Sequence, residues 1–187
     1  MKPAFSLKHL FSFFVFLFFS FHVTTGDTNH IPEACNICAR DDSNPNAMLN
    51  FCTNSLQAVR GADRASRQEL GKMTMKLLKN HANDTKSYIK QSLKEKKLDP
   101  NIKSSMNSCL AEYKARAKPS IDKALQAYKY GQYIDARFEI TVFMKVTAAC
   151  EVGFMQKNVA SPFTKRIEDA LQLSSLALCF IDKVIIR

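Results

Sequence analysis

Six cysteines, Cys35, Cys38, Cys52, Cys109, Cys150 and Cys179, all stand downstream of a segment that reads as an export signal, and this combination limits the chain more than any other feature. The segment begins with Lys2 and Lys8, runs through an apolar stretch from Leu10 to Phe21 and closes on Thr24, Thr25 and Gly26. A basic start, an apolar core and a small-residue exit predict a cleavable secretory signal over residues 1–26. The stretch is too short to span hydrocarbon, which takes about 20 residues as a helix, and no later stretch is longer, so no membrane span is expected. An exported chain meets an oxidising compartment, where an even cysteine count predicts a disulfide framework. Residues 27–187 are the size of one domain with its own core.

The same residues predict an all-α fold. Glycine occurs only 5 times and Trp not at all, and no run alternates with the period of a strand. Pro32 and the loop Asp41-Asp42-Ser43-Asn44-Pro45 divide residues 27–58 into two short helices, a hairpin arm. Residues 59–187 then read as four amphipathic helices with short connections, an up-down-up-down bundle. The first is expected from about Ala62 to Lys97, with Leu70, Met73, Leu77, Leu78 and Tyr88 on its core side and Asp99-Pro100 as its stop. The second runs from Pro100 to Tyr130, with a kink or break expected at Pro119. The third, Tyr133 to Phe154, carries Ile140, Phe143, Met144 and Thr147. The last opens with Ser161 as N-cap and Pro162 as first residue, and buries Phe163, Ile167, Leu171, Leu178, Ile181 and Ile185.

The net charge of +10 is concentrated in residues 60–118, where fifteen Lys or Arg face six acids. Lys72, Lys76, Lys79, Lys86, Lys90, Lys94 and Lys97 fall within about 40° of one line on the first long helix at 100° per residue. The plain reading is a solvated face; the functional one is a cationic rail able to hold a polyanion such as acidic pectin, or to steer the chain toward an acidic enzyme surface. Asn83, in the gap of the row, heads the sequon Asn83-Asp84-Thr85 and is a candidate glycosylation site.

Catalytic chemistry finds no footing. Beyond the signal only His30 and His81 remain as candidate bases, and His81 lies on the core side of its helix. Cys35-x-x-Cys38 has neither the βαβ setting of a redox pair nor a second pair to complete a zinc site, so no metal and no cofactor are expected. Export argues against nucleic acid as a partner.

Five marks in order run from Cys35 to the last helix. They are an early Cys-loop-Cys arm, Cys109-x-x-x-Tyr113, Gly131-Gln132-Tyr133, Cys150-Glu151-x-x-Phe154 and the opening Ser161-Pro162-Phe163-Thr164-Lys165. This arrangement resembles the plant invertase and pectin methylesterase inhibitor family, and the long arm spacing and Asn44-Pro45-Asn46 are most similar to its pollen-type members. The resemblance implies that the first two family cysteines pair and the next two pair. It assigns Cys35–Cys52, or Cys38–Cys52 in the other variant, and Cys109–Cys150. A further bridge Cys38–Cys179 is an open possibility beside two free thiols.

The resemblance also implies a function: a monomer exported to the apoplast, rather than the vacuole, that docks 1:1 over the active-site cleft of a wall enzyme. Invertase-directed members carry a Pro-Lys-Phe element where this chain reads Gly131-Gln132-Tyr133-Ile134-Asp135. Esterase-directed members usually place a Thr just before the fourth cysteine and an acid five residues before it; Ala149 and Lys145 stand there. Pectin methylesterase is the first expected target and acid invertase the alternative, with an interface around Lys90, Gln132, Arg137 and Lys145. From another class, an apolar-ligand carrier or a wall-binding bundle stays open.

Overall fold

Three helices of this chain start on a polar side chain that caps the first turn. The computed structural model describes residues 29–186, and every regular element among them is helical. The predicted signal, residues 1–26, lies outside the described residues. The elements are α1 (Ile31–Ala39), α2 (Pro45–Gln57), a 3₁₀ turn (Ala62–Arg64), α3 (Arg67–Ser92), α4 (Pro100–Glu112), a π turn (Tyr113–Ala117), α5 (Lys118–Lys129), α6 (Tyr133–Met155) and α7 (Thr164–Ile185). Asn44 caps α2 by accepting the Ala47 N–H, with Pro45 in the first turn. Ser66 and Glu69 form a reciprocal capping box on α3, and Asp99 accepts the N–H groups of Asn101 and Ile102 at the start of α4.

Three boundaries differ from expectation. The first long helix does not run from Ala62 to Lys97. It begins after the 3₁₀ turn and ends at Ser92, because Lys94 to Lys97 are exposed charged residues with nothing apolar to bury. Pro119 does not break its helix: the Lys118 N–H reaches back to the Tyr113 carbonyl across a wide π turn. That turn displaces the carbonyl a proline ring would otherwise strike, so α4 and α5 run on as one rod. The last helix starts at Thr164 rather than Pro162, and Ser161 accepts the Phe163 N–H at 3.3 Å ahead of it.

The four rods α3, α4–α5, α6 and α7 form a ring. α3 packs on α5 and α7, and α6 packs on α4, α5 and α7, which leaves α3 and α6 on the diagonal. The core holds Met75, Leu78 and Ile89 from α3, Met106, Tyr113 and Ile121 from the second rod, Ile140, Phe143 and Phe154 from α6, and Ile167 and Ile181 from α7. Met73, Leu77 and Tyr88, expected in the core, are half-buried; Thr74, Met75, Ala82, Thr85 and Ile89 fill that face instead. Likewise Leu171 and Leu178 are half-buried and Ile185 is exposed, whereas Ala170, Leu173, Ala177 and Phe180 are buried. Small residues are buried where helices press closest, and a reading that follows only large apolar side chains misplaces the centre of such a face.

The arm is a second core rather than an appendage. Ile31, Met48 and Leu56 from α1 and α2 pack with Leu70 of α3 and Leu176 and Phe180 of α7. Cys35–Cys52 joins α1 to α2, Cys38–Cys179 joins the arm to α7, and Cys109–Cys150 joins α4 to α6. No described cysteine is free. In the chain-entropy view, closing the 41-residue separation of the last bridge stabilises by about 4 kcal/mol.

At Gly71, α3 lies close against Tyr128 and Phe180. A Cβ there would lie 2.5 Å from the Tyr128 hydroxyl and 3.1 Å from Phe180 Cβ. Gly71→Ala is therefore expected to destabilise by about 1–3 kcal/mol through overpacking, against a helix-propensity gain of about 1 kcal/mol. Urea unfolding of the single variant and of Gly71→Ala/Tyr128→Phe checks this, with part of the loss recovered in the double variant.

Candidate functional site

A helix in a bundle normally shows one apolar face, and α6 shows two. Inward, Ala136, Ile140, Phe143, Val146, Cys150 and Phe154 are buried. Outward, Ile134, Phe138, Thr141, Lys145, Ala149, Val152 and Met155 fall within about 60° of a line at 100° per residue. Ile134 is 74% exposed, Phe138 65% and Met155 70%. Lys145 and, at the edge of the stripe, Arg137 are its two charges. Large apolar side chains left exposed on an outward helix face mark a surface that no other described residue covers.

The turn before α6 extends this surface. Gly131 takes φ +75°, and the N–H groups of Gly131 and Gln132 return to the carbonyls of Tyr128 and Ala127, a Schellman closure of α5. Tyr133 packs edge-on against Tyr128 at 5.1 Å and accepts a hydrogen bond from Gln68 Nε2 at 2.7 Å. Tyr128 in turn donates to the Gln68 carbonyl at 3.0 Å. Burial raises the Tyr128 phenol well above its ordinary value, so it remains a donor. The turn is thereby fixed on α3, while Tyr130 stays 65% exposed. A groove of about 530 Å³ opens between residues 131–135 and Val184 and Ile185 of α7.

The expected interface residues do not form one group. Gln132 and Lys145 are exposed on the turn and the outer face of α6. Arg137 is also exposed, but it is bound to Asp182 of α7 at 2.8 Å. Lys90 stands on α3, the diagonal helix, near the opposite end of the bundle, and joins none of them. The lysine rail is likewise shorter than expected. Lys72, Lys76, Lys79, Lys86 and Lys90 lie on α3, whereas Lys94 and Lys97 fall in the turns after it. Lys79 is engaged by Asp122 of α5 at 2.6 Å, with Lys118 on the other carboxylate oxygen. Asn83 is half-buried within α3, and the Thr85 side chain of its sequon is fully buried.

The motif residues prove structural. Tyr113 packs edge-on against Phe143 at 6.3 Å beside the Cys109–Cys150 bridge. Phe154 meets Phe163 at 5.1 Å, and Glu151 accepts from the Thr164 hydroxyl, which ties α6 to the start of α7. His81 is half-buried, with Nε2 at 2.7 Å from the Arg166 carbonyl. Among the described residues no three His, Cys, Asp or Glu stand together as a metal site, and no helix is long and apolar enough to cross a membrane.

A family model described as Plant invertase/pectin methylesterase inhibitor matches residues 31–180, from the start of α1 to near the end of α7. The chain belongs to this family. It is 33% identical over 135 residues to a protein of Platanus acerifolia named "Putative invertase inhibitor", covering 72% of this chain and 74% of that one. With a protein of the same name from Platanus orientalis it shares 29% over 173 residues, 92% and 95% of the two chains. Its fold is similar to that of a mutant form A of a pectin methylesterase inhibitor from Arabidopsis, with TM-score 0.66 and 21% identity over 80% of this chain and 95% of that one. A pectin methylesterase inhibitor from Arabidopsis thaliana gives TM-score 0.57 and 20% identity over 80% and 94%.

Within this inhibitor framework the Lys79–Asp122–Lys118 cluster joins α3 to α5. Desolvation raises the Asp122 carboxyl, but hydrogen bonds and charge from Lys118 and Lys79 outweigh it and hold the group below its ordinary 3.8. A carboxyl lowered by folding stabilises above its unfolded pKa, and that contribution fades as pH falls through the folded value. Wild type and Asp122→Asn should therefore differ in stability above about pH 3.8 and converge below it, as read by chemical unfolding across pH.

Proposed function

We propose that residues 27–187 form one exported inhibitor domain, released from a leader at residues 1–26, that docks on a plant cell-wall enzyme and covers its active-site cleft. The observation that carries this reading is the outer face of α6, about 32 Å long at 1.5 Å per residue, with Ile134 and Phe138 exposed at one end and Val152 and Met155 at the other. Inhibition by coverage needs no reacting group. It needs a stiff surface with apolar anchors and little ordering cost, which is how buried aromatic and aliphatic side chains come to dominate an interface. Phe138 and Ile134 are such anchors, with Tyr130 and the groove at the turn beside them.

Pectin methylesterase is the target this reading favours. The turn at Gly131–Asp135 is closed on itself by its Schellman bonds and carries Ile134 at its α6 end rather than a protruding basic tripeptide. Docking along the side of a helix suits an open polysaccharide cleft. Acid invertase is the second reading, and the names of the two Platanus relatives favour it. A monomer acting 1:1 in the apoplast fits either target.

Purified protein added separately to pectin methylesterase and to acid invertase decides between them, and inhibition of neither would refute the docking reading. Phe138→Asp and Ile134→Asp should each weaken inhibition by on the order of 30-fold, the size of an interface hot spot. Far-UV circular dichroism and Tm should stay unchanged, since both side chains lie outside the core.

A further inference from the structure

The outer faces of the two diagonal helices differ in kind. That of α6 is apolar; that of α3 is cationic. Lys72 and Lys76 are exposed about 6 Å apart along the axis, and half-buried Lys86 and exposed Lys90 repeat the spacing about 21 Å further on, at 1.5 Å per residue. No carboxylate of α3 interrupts this line. Glu69 sits in the first turn, bound to Ser66, and Asp84 projects about 120° away. The facing element α5 supplies one acid, Asp122, which two lysines already neutralise. The stripe is thus two cationic pairs whose backbone positions are held in register by a helix with a capped start and a packed core face.

We infer that the outer face of α3 binds a linear polycarboxylate polysaccharide, and that it does so while α6 is occupied. The spacing suits a stiff polymer with regularly placed carboxylates better than a compact anion, since one small ion reaches only one pair. De-esterified pectin has this chemistry and is the product a pectin methylesterase would leave. Because α3 and α6 stand across the ring, a protein seated on α6 leaves the lysines in solvent. The inhibitor then holds the acidic polymer on one side and the enzyme on the other. The second half of this inference rests on the docking function proposed above; the first half does not.

The test uses the full mature chain and two independent readouts. At low salt, wild type should be retained on immobilised polygalacturonate. Lys72→Gln/Lys76→Gln/Lys86→Gln should bind at least about tenfold more weakly, and salt should release wild type as it screens the pairs. Equal retention of that variant, or equal retention on fully methyl-esterified pectin, would overturn polymer binding. So would tighter binding to phosphatidylserine vesicles than to polygalacturonate, which would assign the face to a membrane. The triple variant should keep full inhibitory potency, and polygalacturonate-bound wild type should still capture its target enzyme. Loss of either overturns simultaneous occupancy. Phe138→Asp should keep its polygalacturonate binding whether or not it inhibits, so failure of the docking reading is visible separately.

Discussion

The last helix must bury two faces at once, and the architecture depends on its doing so. Ile167, Ala170, Ala177 and Ile181 of α7 close the four-helix ring, while Leu176 and Phe180 close the core of the arm. Ala170, Ser174 and Ala177 are buried small residues that let neighbours approach closely, with the Ser174 hydroxyl donating to the Ala170 carbonyl at 2.7 Å. A helix buried on two sides offers nothing to solvent on either, so its position is fixed from both. Cys38–Cys179 adds a covalent tie on the arm side, and Lys183 reaches Asp41 at 2.8 Å just beyond it. A hydrogen bond and charge from Lys183 hold the Asp41 carboxyl below its ordinary value, although that pair is exposed and contributes little to stability.

This arrangement separates the parts that hold the molecule from the parts that face outward. The family marks Cys109, Tyr113, Cys150, Glu151 and Phe154 bridge α4, α6 and α7 from within. None of them reaches the outer stripe of α6. Motifs that identify the family therefore say how the bundle stays together. Nothing in Cys-Glu-x-x-Phe distinguishes one enzyme partner from another, because Glu151 spends its carboxylate on Thr164.

The fold class, the two-helix arm and the four rods were legible because helical periodicity, proline starts and cysteine order are local signals. The π turn was not. Pro119 announces a disturbance, but whether a helix kinks or widens depends on the packing of Tyr113 and Ile121 around it. Gly71 was not legible either, since its reason is a tyrosine hydroxyl 57 positions away in the chain. The outer stripe of α6 did leave a signal that a search for one core face passes over: residues 133–155 carry Ile134, Phe138, Val152 and Met155 as well as Ile140 and Phe143, too many apolar side chains for a single face. The lysine rail was drawn from spacing alone, which cannot tell that the helix stops at Ser92.

The placement of the sequon has a consequence for how the protein is made. Asn83 sits mid-helix, and Thr85, which an oligosaccharyl transferase must grip, has no exposed surface once α3 packs. Any sugar at this position must be attached to a nascent, still extended chain. Occupancy at Asn83 would then record a race between a modifying enzyme and the closing of a helix bundle, and fast-folding variants would emerge bare.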